Sequence, residues 1–328
     1  MNNRIVLIYK GLQLTDRWFK GDHFWRTPIR RILRGPDRVG GIDRVYLNLC
    51  AGLDLLGIEY VVNPKMSEIR SSDWVGVIGR GRSCLDRYTA LNPIVTGIAV
   101  AYHPAEWPTL FEDYRVIYNV VHSNWVKEIY TKWYGESRIK IWAAGIDTTL
   151  WKPIIKKEIK FDFLVYEKIM WEKDRTVRAV VNPILQYLNE RNLTYKVIHY
   201  GTYEPKELLD LLQSSRGFIF LSEHESQGLA YQQAMSAGLP ILAWDQGLWL
   251  DPCRFEYGDA IVHASSVPFF DERCGLTFRS FRDFPAALDL FIDKINSGDF
   301  FPRDYILENL TLTKTAENYL NILKYANS

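Results

Sequence analysis

The chain opens on a short apolar run, RIVLIY (4–9), in which no polar position alternates with the apolar ones. Such a run is what a strand shows when both faces of its sheet are covered. After a long polar and aromatic stretch comes GGIDRVYLNLCAGLDLLG (40–57). Val45, Leu47, Leu49, Leu53, Leu55 and Leu56 give it a broad apolar face, which predicts a helix closed by Gly57. IEYVV (58–62), DWVGVIG (73–79) and PIVTGIAVAY (93–102) are predicted strands. VIYNVVHS (116–123) and RIKIWAAG (138–145) flank a predicted helix, NWVKEIYTKWYG. The regular change of period between strand and helix predicts a doubly wound parallel sheet.

WKPIIKKEIK (151–160) is charged and holds a proline, and it reads as a linker. A second alternation follows at once: FDFLVYE (strand), RTVRAVVNPILQYLNERN (helix), TYKVIHYG (strand), PKELLDLLQSS (helix), GFIFLS (strand), a helix opening near Gly228, and PILAW (strand). Pro183 weakens the first of these helices. ENLTLTKTAENYLNILKYANS forms a terminal amphipathic helix. The expected architecture is α/β with two Rossmann-like halves, 1–152 and 153–305, and a C-terminal helix, 306–328, packing back on the first half.

Composition narrows this picture. At 328 residues and 47% hydrophobic, the chain can build large cores. A net charge of +1 carries no global nucleic-acid signal. Cys50, Cys84, Cys253 and Cys274 form no CxxC, which favours unpaired thiols in a reducing compartment and argues against zinc. The apolar run at the N-terminus is too short for a secretory leader, and PIVTGIAVAYHP is too short to span a bilayer, so a cytoplasmic location is expected.

In open parallel sheets ligands lie beyond the carboxyl ends of the strands. After GFIFLS stands Glu223-His224-Glu225-Ser226-Gln227-Gly228-Leu229. A helix that starts near Gly228 offers free N–H groups to an anion such as phosphate. Glu225 would repel phosphate but accept from neutral hydroxyls, so the stretch suits a ligand with both a phosphate and a polyol. The competing reading makes Glu225 a simple helix cap. Lys168 and Lys173 follow FDFLVYE and either clamp a diphosphate or stand solvated. Gly40 and Gly41 bring backbone N–H groups near a ligand at the first predicted helix. His103 follows the predicted strand 93–102, and Tyr203 follows TYKVIHYG as a candidate for stacking on a base. GVIGRGRS (76–83) lacks the spacing of a dinucleotide fingerprint and reads as a loop carrying Arg80 and Arg82.

GGIDRVYLNLCAGLDLLGIEYVV, AAGIDTTLWKP and ESQGLAYQQAMSAGLPI occur in this order, with the lysine pair between the last two. Together they resemble the retaining nucleotide-sugar glycosyltransferases of family 4, whose GT-B fold sets two such domains facing across a cleft. The resemblance implies that Glu225 takes hydroxyls of the donor sugar. Gln233 stands where the family has a second Glu, on the ribose hydroxyls; it is nearly isosteric and both accepts and donates. Lys168 replaces a family Arg, and Lys173 matches a family Lys, on the leaving diphosphate. His103 matches a histidine near the reacting sugar. The implied catalytic set is His103, Lys168, Lys173 and Glu225. The implied donor-binding set adds Gly40, Gly41, Tyr203, Ser226, Gln227, Gly228, Leu229 and Gln233. A UDP- or GDP-sugar is the implied co-substrate, with no cofactor and no metal. A sugar-nucleotide epimerase and a non-catalytic nucleotide-sugar-binding protein are the competing functions.

One segment stands apart. DRWFKGDHFWRTPIRRILRGPDR (16–38) carries seven Arg or Lys against three Asp, with aromatic and aliphatic residues interleaved. A long loop here is usually functional. Arg26, Arg30, Arg31 and Arg34 are candidates for contact with an anionic membrane face that presents a lipid-linked acceptor, or with an anionic soluble acceptor. The competing reading is a loop that folds over its own domain. Nucleic acid is not the favoured partner.

Overall fold

The computed structural model describes residues 3–10, 40–154 and 158–328. The chain divides into two compact units. The first comprises Met1–Val121, Tyr130–Ala144 and Ala316–Ser328; the second comprises His122–Ile129 and Gly145–Thr315.

The first unit is built on a six-stranded sheet of order β2-β1-β3-β4-β5-β6, every pairing parallel. Its elements are β1 (Ile5–Lys10), α1 (Gly41–Leu55), β2 (Tyr60–Val62), β3 (Trp74–Gly79), β4 (Ile94–Thr96), β5 (Val116–Val121), the end of α2 (Asn124–Tyr134) from Tyr130 onward, and β6 (Ile139–Ile141). Ile5, Val6 and Leu7 are all buried, as the unbroken apolar run predicts. The C-terminal helix Leu312–Ala326 buries Ala316, Tyr319, Leu323 and Ala326, a helical stripe. Tyr319 lies over Gly76 of β3, where a Cβ would fall 2.3 Å from its hydroxyl oxygen. PIVTGIAVAY departs from expectation: only Ile94–Thr96 is strand. At Gly97 φ is +117° and a Cβ would lie 2.2 Å from the Val120 carbonyl oxygen, so the chain leaves the sheet there. His103 therefore sits well past a strand end rather than on one.

The second unit holds a five-stranded sheet of order β11-β10-β9-β7-β8, also parallel throughout. Its elements are β7 (Phe161–Lys168), α3 (Asn182–Glu190), β8 (Tyr195–His199), α4 (Pro205–Leu212), β9 (Ser215–Ser222), α5 (Leu229–Ser236), β10 (Ile241–Trp244), β11 (Gly275–Phe278) and α6 (Phe284–Ser297). Phe163 and Val165 of β7 pack with Ile184, Leu188, Leu288 and Phe291 in one core layer. Tyr166 turns to the other face, against Phe218 and Phe220. The predicted helix around Pro183 is interrupted by a π-turn at Val177–Val181, in which Asn182 N–H reaches back to Val177. The wider turn accommodates a proline that has no N–H to donate. β11, α6 and the helix Pro302–Asn309 have no counterpart in the sequence reading. Among the described residues no helix is long and apolar enough to cross a membrane.

Asp73, just ahead of β3, ties the start of the first sheet together. Its carboxylate takes Arg4 Nε at 3.1 Å, Arg4 Nη2 at 2.5 Å and the Arg70 amide at 2.8 Å. Burial pushes this carboxyl up, but the Arg4 guanidinium and the Arg70 amide outweigh it and hold it below its usual 3.8. A depressed carboxyl contributes stability above its unfolded value and loses it as pH falls through the folded value. Asp73→Asn is expected to cost about 2 kcal/mol at pH 7. The gap between variant and wild type should close as pH falls below 3.8, read as midpoints of urea unfolding between pH 7 and pH 3.

Candidate active site

In the second sheet the strand order reverses between β7 and β9, which lie side by side. A reversal of this kind, beyond the carboxyl ends of the strands, is the usual ligand position in such sheets. The register pairs Lys168, the last residue of β7, with Ser222, the last of β9. The EHES stretch therefore begins beside Lys168.

Lys168 Nζ lies 2.8 Å from each carboxylate oxygen of Glu225. Ser222 Oγ donates to Glu225 Oε1 at 3.0 Å. The backbone of Glu225 is fixed as well: its N–H donates to the Ser265 carbonyl, and its carbonyl accepts from Trp125 Nε1, both at 2.9 Å. The Lys168 ammonium also lies over the Tyr200 ring, 4.7 Å from its centre. Burial pulls the lysine pKa down, but Glu225 outweighs it and the net shift is upward, so the lysine keeps its proton. Tyr203, the base-stacking candidate, is half-buried beside this pair, its hydroxyl 3.1 Å from that of Tyr166.

Glu223 performs a different task. Its Oε1 accepts the amides of Met170 and Trp171 at 3.0 and 2.9 Å, and its Oε2 accepts Met170 again at 3.2 Å. It thereby fixes to β9 the loop that separates Lys168 from Lys173. Burial raises its pKa against these donors. Lys173 opens the short turn Lys173–Thr176 and sits 3.3 Å from Glu167 Oε1, while His199 Nδ1 lies 3.0 Å from Glu167 Oε2. Each lysine of the predicted pair thus has its own carboxylate. His224 stands between the two acidic residues of the loop; burial and Lys168 lower its pKa to about 4, so it is neutral near pH 7.

Helix α5 begins where the sequence places it. Gly228 has φ +84°, and a Cβ there would fall 2.2 Å from the Tyr231 ring, so this position admits only glycine. The first helical backbone bond is Gln232 N–H to Gly228 C=O, which leaves the Leu229, Ala230 and Tyr231 amides outside the ladder. Gly238 closes the helix: its N–H reaches Met235, and Leu239 N–H reaches Ala234, a Schellman pair. Ser226 is exposed, while Leu229 and Gln233 are half-buried. Gln227 turns inward, its Nε2 donating to Gln232 Oε1 at 2.9 Å, so its side chain is committed to the loop rather than aimed outward.

In the first unit Gly40 caps α1, its N–H donating to Asp43 at 3.1 Å, and Gly41 has open space where a Cβ would stand. Arg80 approaches the same Asp43 carboxylate at 3.5 Å. His103 is buried; its Nδ1 accepts from the Ala105 amide at 3.1 Å, and its ring meets Trp133 edge-on. Arg26, Arg30, Arg31 and Arg34 lie outside the described residues. Sequence reasoning gave no role to Ser222, Glu223, Glu167, His199 or Tyr200. Only the position of Glu223 directly after a predicted strand signalled it.

Glu223→Ala leaves two amides without their acceptor and is expected to lower stability by about 2 kcal/mol. Differential scanning calorimetry checks this. Glu223→Gln, which keeps one acceptor oxygen, should recover part of the loss.

No model of a known protein family matches the chain, and no curated protein matches it. Solved structures are similar in fold. HepE of Anabaena, in complex with UDP, superposes with a TM-score of 0.59 at 9% identity over 98% of this chain and 100% of its own. A glycosyltransferase from Rickettsia africae ESF-5 gives 0.57 at 12% identity over 99% of each chain. The sucrose-phosphate synthase of Thermosynechococcus elongatus gives 0.56 at 11% identity over 98% of each. At these identities the likeness is one of fold: the chain has the two parallel α/β sheets of the GT-B class, as the sequence predicts.

Proposed function

We propose that the chain is a glycosyltransferase that moves a hexosyl group from a nucleoside diphosphate sugar to an acceptor, with retention of configuration and without a metal ion. The observation that carries this reading is the Lys168–Glu225 pair at the reversal of the second sheet. One residue there can hold a diphosphate and the other can accept sugar hydroxyls, side by side. The fold of HepE, described with UDP, supports a UDP-sugar, and a GDP-sugar is the second candidate.

In this reading the bond between the anomeric carbon and the diphosphate oxygen breaks, the acceptor hydroxyl oxygen bonds to the same face of the sugar, and its proton passes to the departing diphosphate. The departing diphosphate gains negative charge. Lys168, Lys173 and the free amides at the start of α5 stabilise it electrostatically. Glu225 holds donor hydroxyls, Gln233 the ribose, and Gly228 allows backbone to approach the phosphates; Gly41 joins this set on the strength of the resemblance alone. Tyr203 lies against the base. His103 stands near the reacting sugar, on the strength of the resemblance alone. The basic aromatic segment 16–38 suggests a lipid-linked or anionic acceptor at the inner face of a membrane, with the enzyme in the cytoplasm.

Lys173→Ala removes one charge-stabilising group and is expected to cut turnover by about 10²-fold. The test follows release of UDP or GDP from a panel of their sugar conjugates, with the product anomer read by NMR. Wild-type turnover in the variant, or a product of inverted configuration, would contradict the reading.

A further inference from the structure

We propose that Glu225 lets this site distinguish a nucleoside diphosphate that carries a sugar from one that does not, because its carboxylate competes with the diphosphate for Lys168. The inference rests on the donor-site reading above and deepens it.

The geometry is that of an exchange. Lys168 Nζ is 2.8 Å from both oxygens of Glu225, so two of its three protons are directed at one carboxylate. The ammonium cannot serve that carboxylate and a diphosphate equally well. A free diphosphate that takes more than the one remaining proton draws Lys168 away. Glu225 is then a buried carboxylate whose remaining side-chain donor is Ser222, 3.0 Å from Oε1. A buried charge left so poorly paired is unfavourable. A sugar nucleotide brings its own compensation: its hydroxyls donate to Glu225 while its diphosphate takes Lys168. Every charged group is re-partnered in that complex, and in no complex with the bare diphosphate.

The same exchange acts after transfer. Once the sugar has left, Glu225 again has Ser222 alone as its side-chain donor and reclaims Lys168, which loosens the hold on the nucleotide product. Glu223 keeps the two competitors in register, since it anchors the Met170 and Trp171 amides just beyond Lys168. Glu225→Gln keeps the shape and the hydroxyl-binding capacity but removes the charge that retains Lys168.

Isothermal titration with UDP and with GDP on wild type, Glu225→Gln, Lys168→Met and the double variant tests this. Glu225→Gln is expected to bind the preferred nucleotide about tenfold tighter than wild type. With Lys168→Met in place, the same change should give less than about threefold. Loss of detectable binding in both Lys168→Met proteins also supports the exchange, because the gain then requires Lys168. Unchanged or weaker binding by Glu225→Gln overturns it, and so does an equal gain without Lys168. If none of the four proteins binds either nucleotide, the donor-site reading itself falls. Should Glu225→Gln fail to fold, Glu225→Ser removes the same charge and must show the same sign.

Discussion

Two opposite charges meet where two adjacent parallel strands end, and much of the second unit is arranged to keep them there. Lys168 closes β7, and Glu225 stands three residues beyond β9. The strand register sets Lys168 beside Ser222 and so fixes the first half of the meeting. Ser265, Trp125 and Ser222 fix the second half by holding the backbone and one oxygen of Glu225. Glu225 is buried, and an unpaired ion shielded from water is strongly unfavourable, so the contact with Lys168 matters most for the carboxylate. Their mutual contact holds the two side chains together just ahead of a helix.

The loops around the pair are stabilised by bonds that have no chemical role. Glu223 spends its carboxylate on two amides of the β7 loop. Gln227 and Gln232 tie the start of α5 to its second turn, Gln232 Nε2 also donating to the Gln227 carbonyl at 3.1 Å. The AAGIDTTLWKP motif is likewise structural. Asp147 Oδ1 accepts the Thr149 and Leu150 amides, and Arg303 joins Trp151 and Thr148 carbonyls to Ser236 of α5. A rigid frame of this kind is what a site needs to hold charges in a fixed relation.

Much of this was legible in the chain. Short apolar runs, IVLIY, FLVY and FIFL, marked β1, β7 and β9, and glycines marked the start and end of α5. PIVTGIAVAY misled because its apolar length outruns the geometry that Gly97 allows. β11 went unread because it is a four-residue edge strand with partly exposed Leu276, too short to show a period. At the site, Lys168 and Glu225 were each found as residues after predicted strands. Their contact was not, because it depends on β7 and β9 being neighbours across 57 residues of chain. The inward turn of Gln227 was hidden for a related reason: a polar side chain in a loop does not announce which way it faces.

The central claim is that this charge pair belongs to a nucleoside diphosphate site. Thermal unfolding in the presence of UDP, GDP, ADP and dTDP tests it most directly. A ligand at about a hundred times its dissociation constant adds roughly 2.7 kcal/mol to the folded state. The account predicts a raised midpoint with UDP or GDP and little change with the other two. An unmoved midpoint with all four would contradict it.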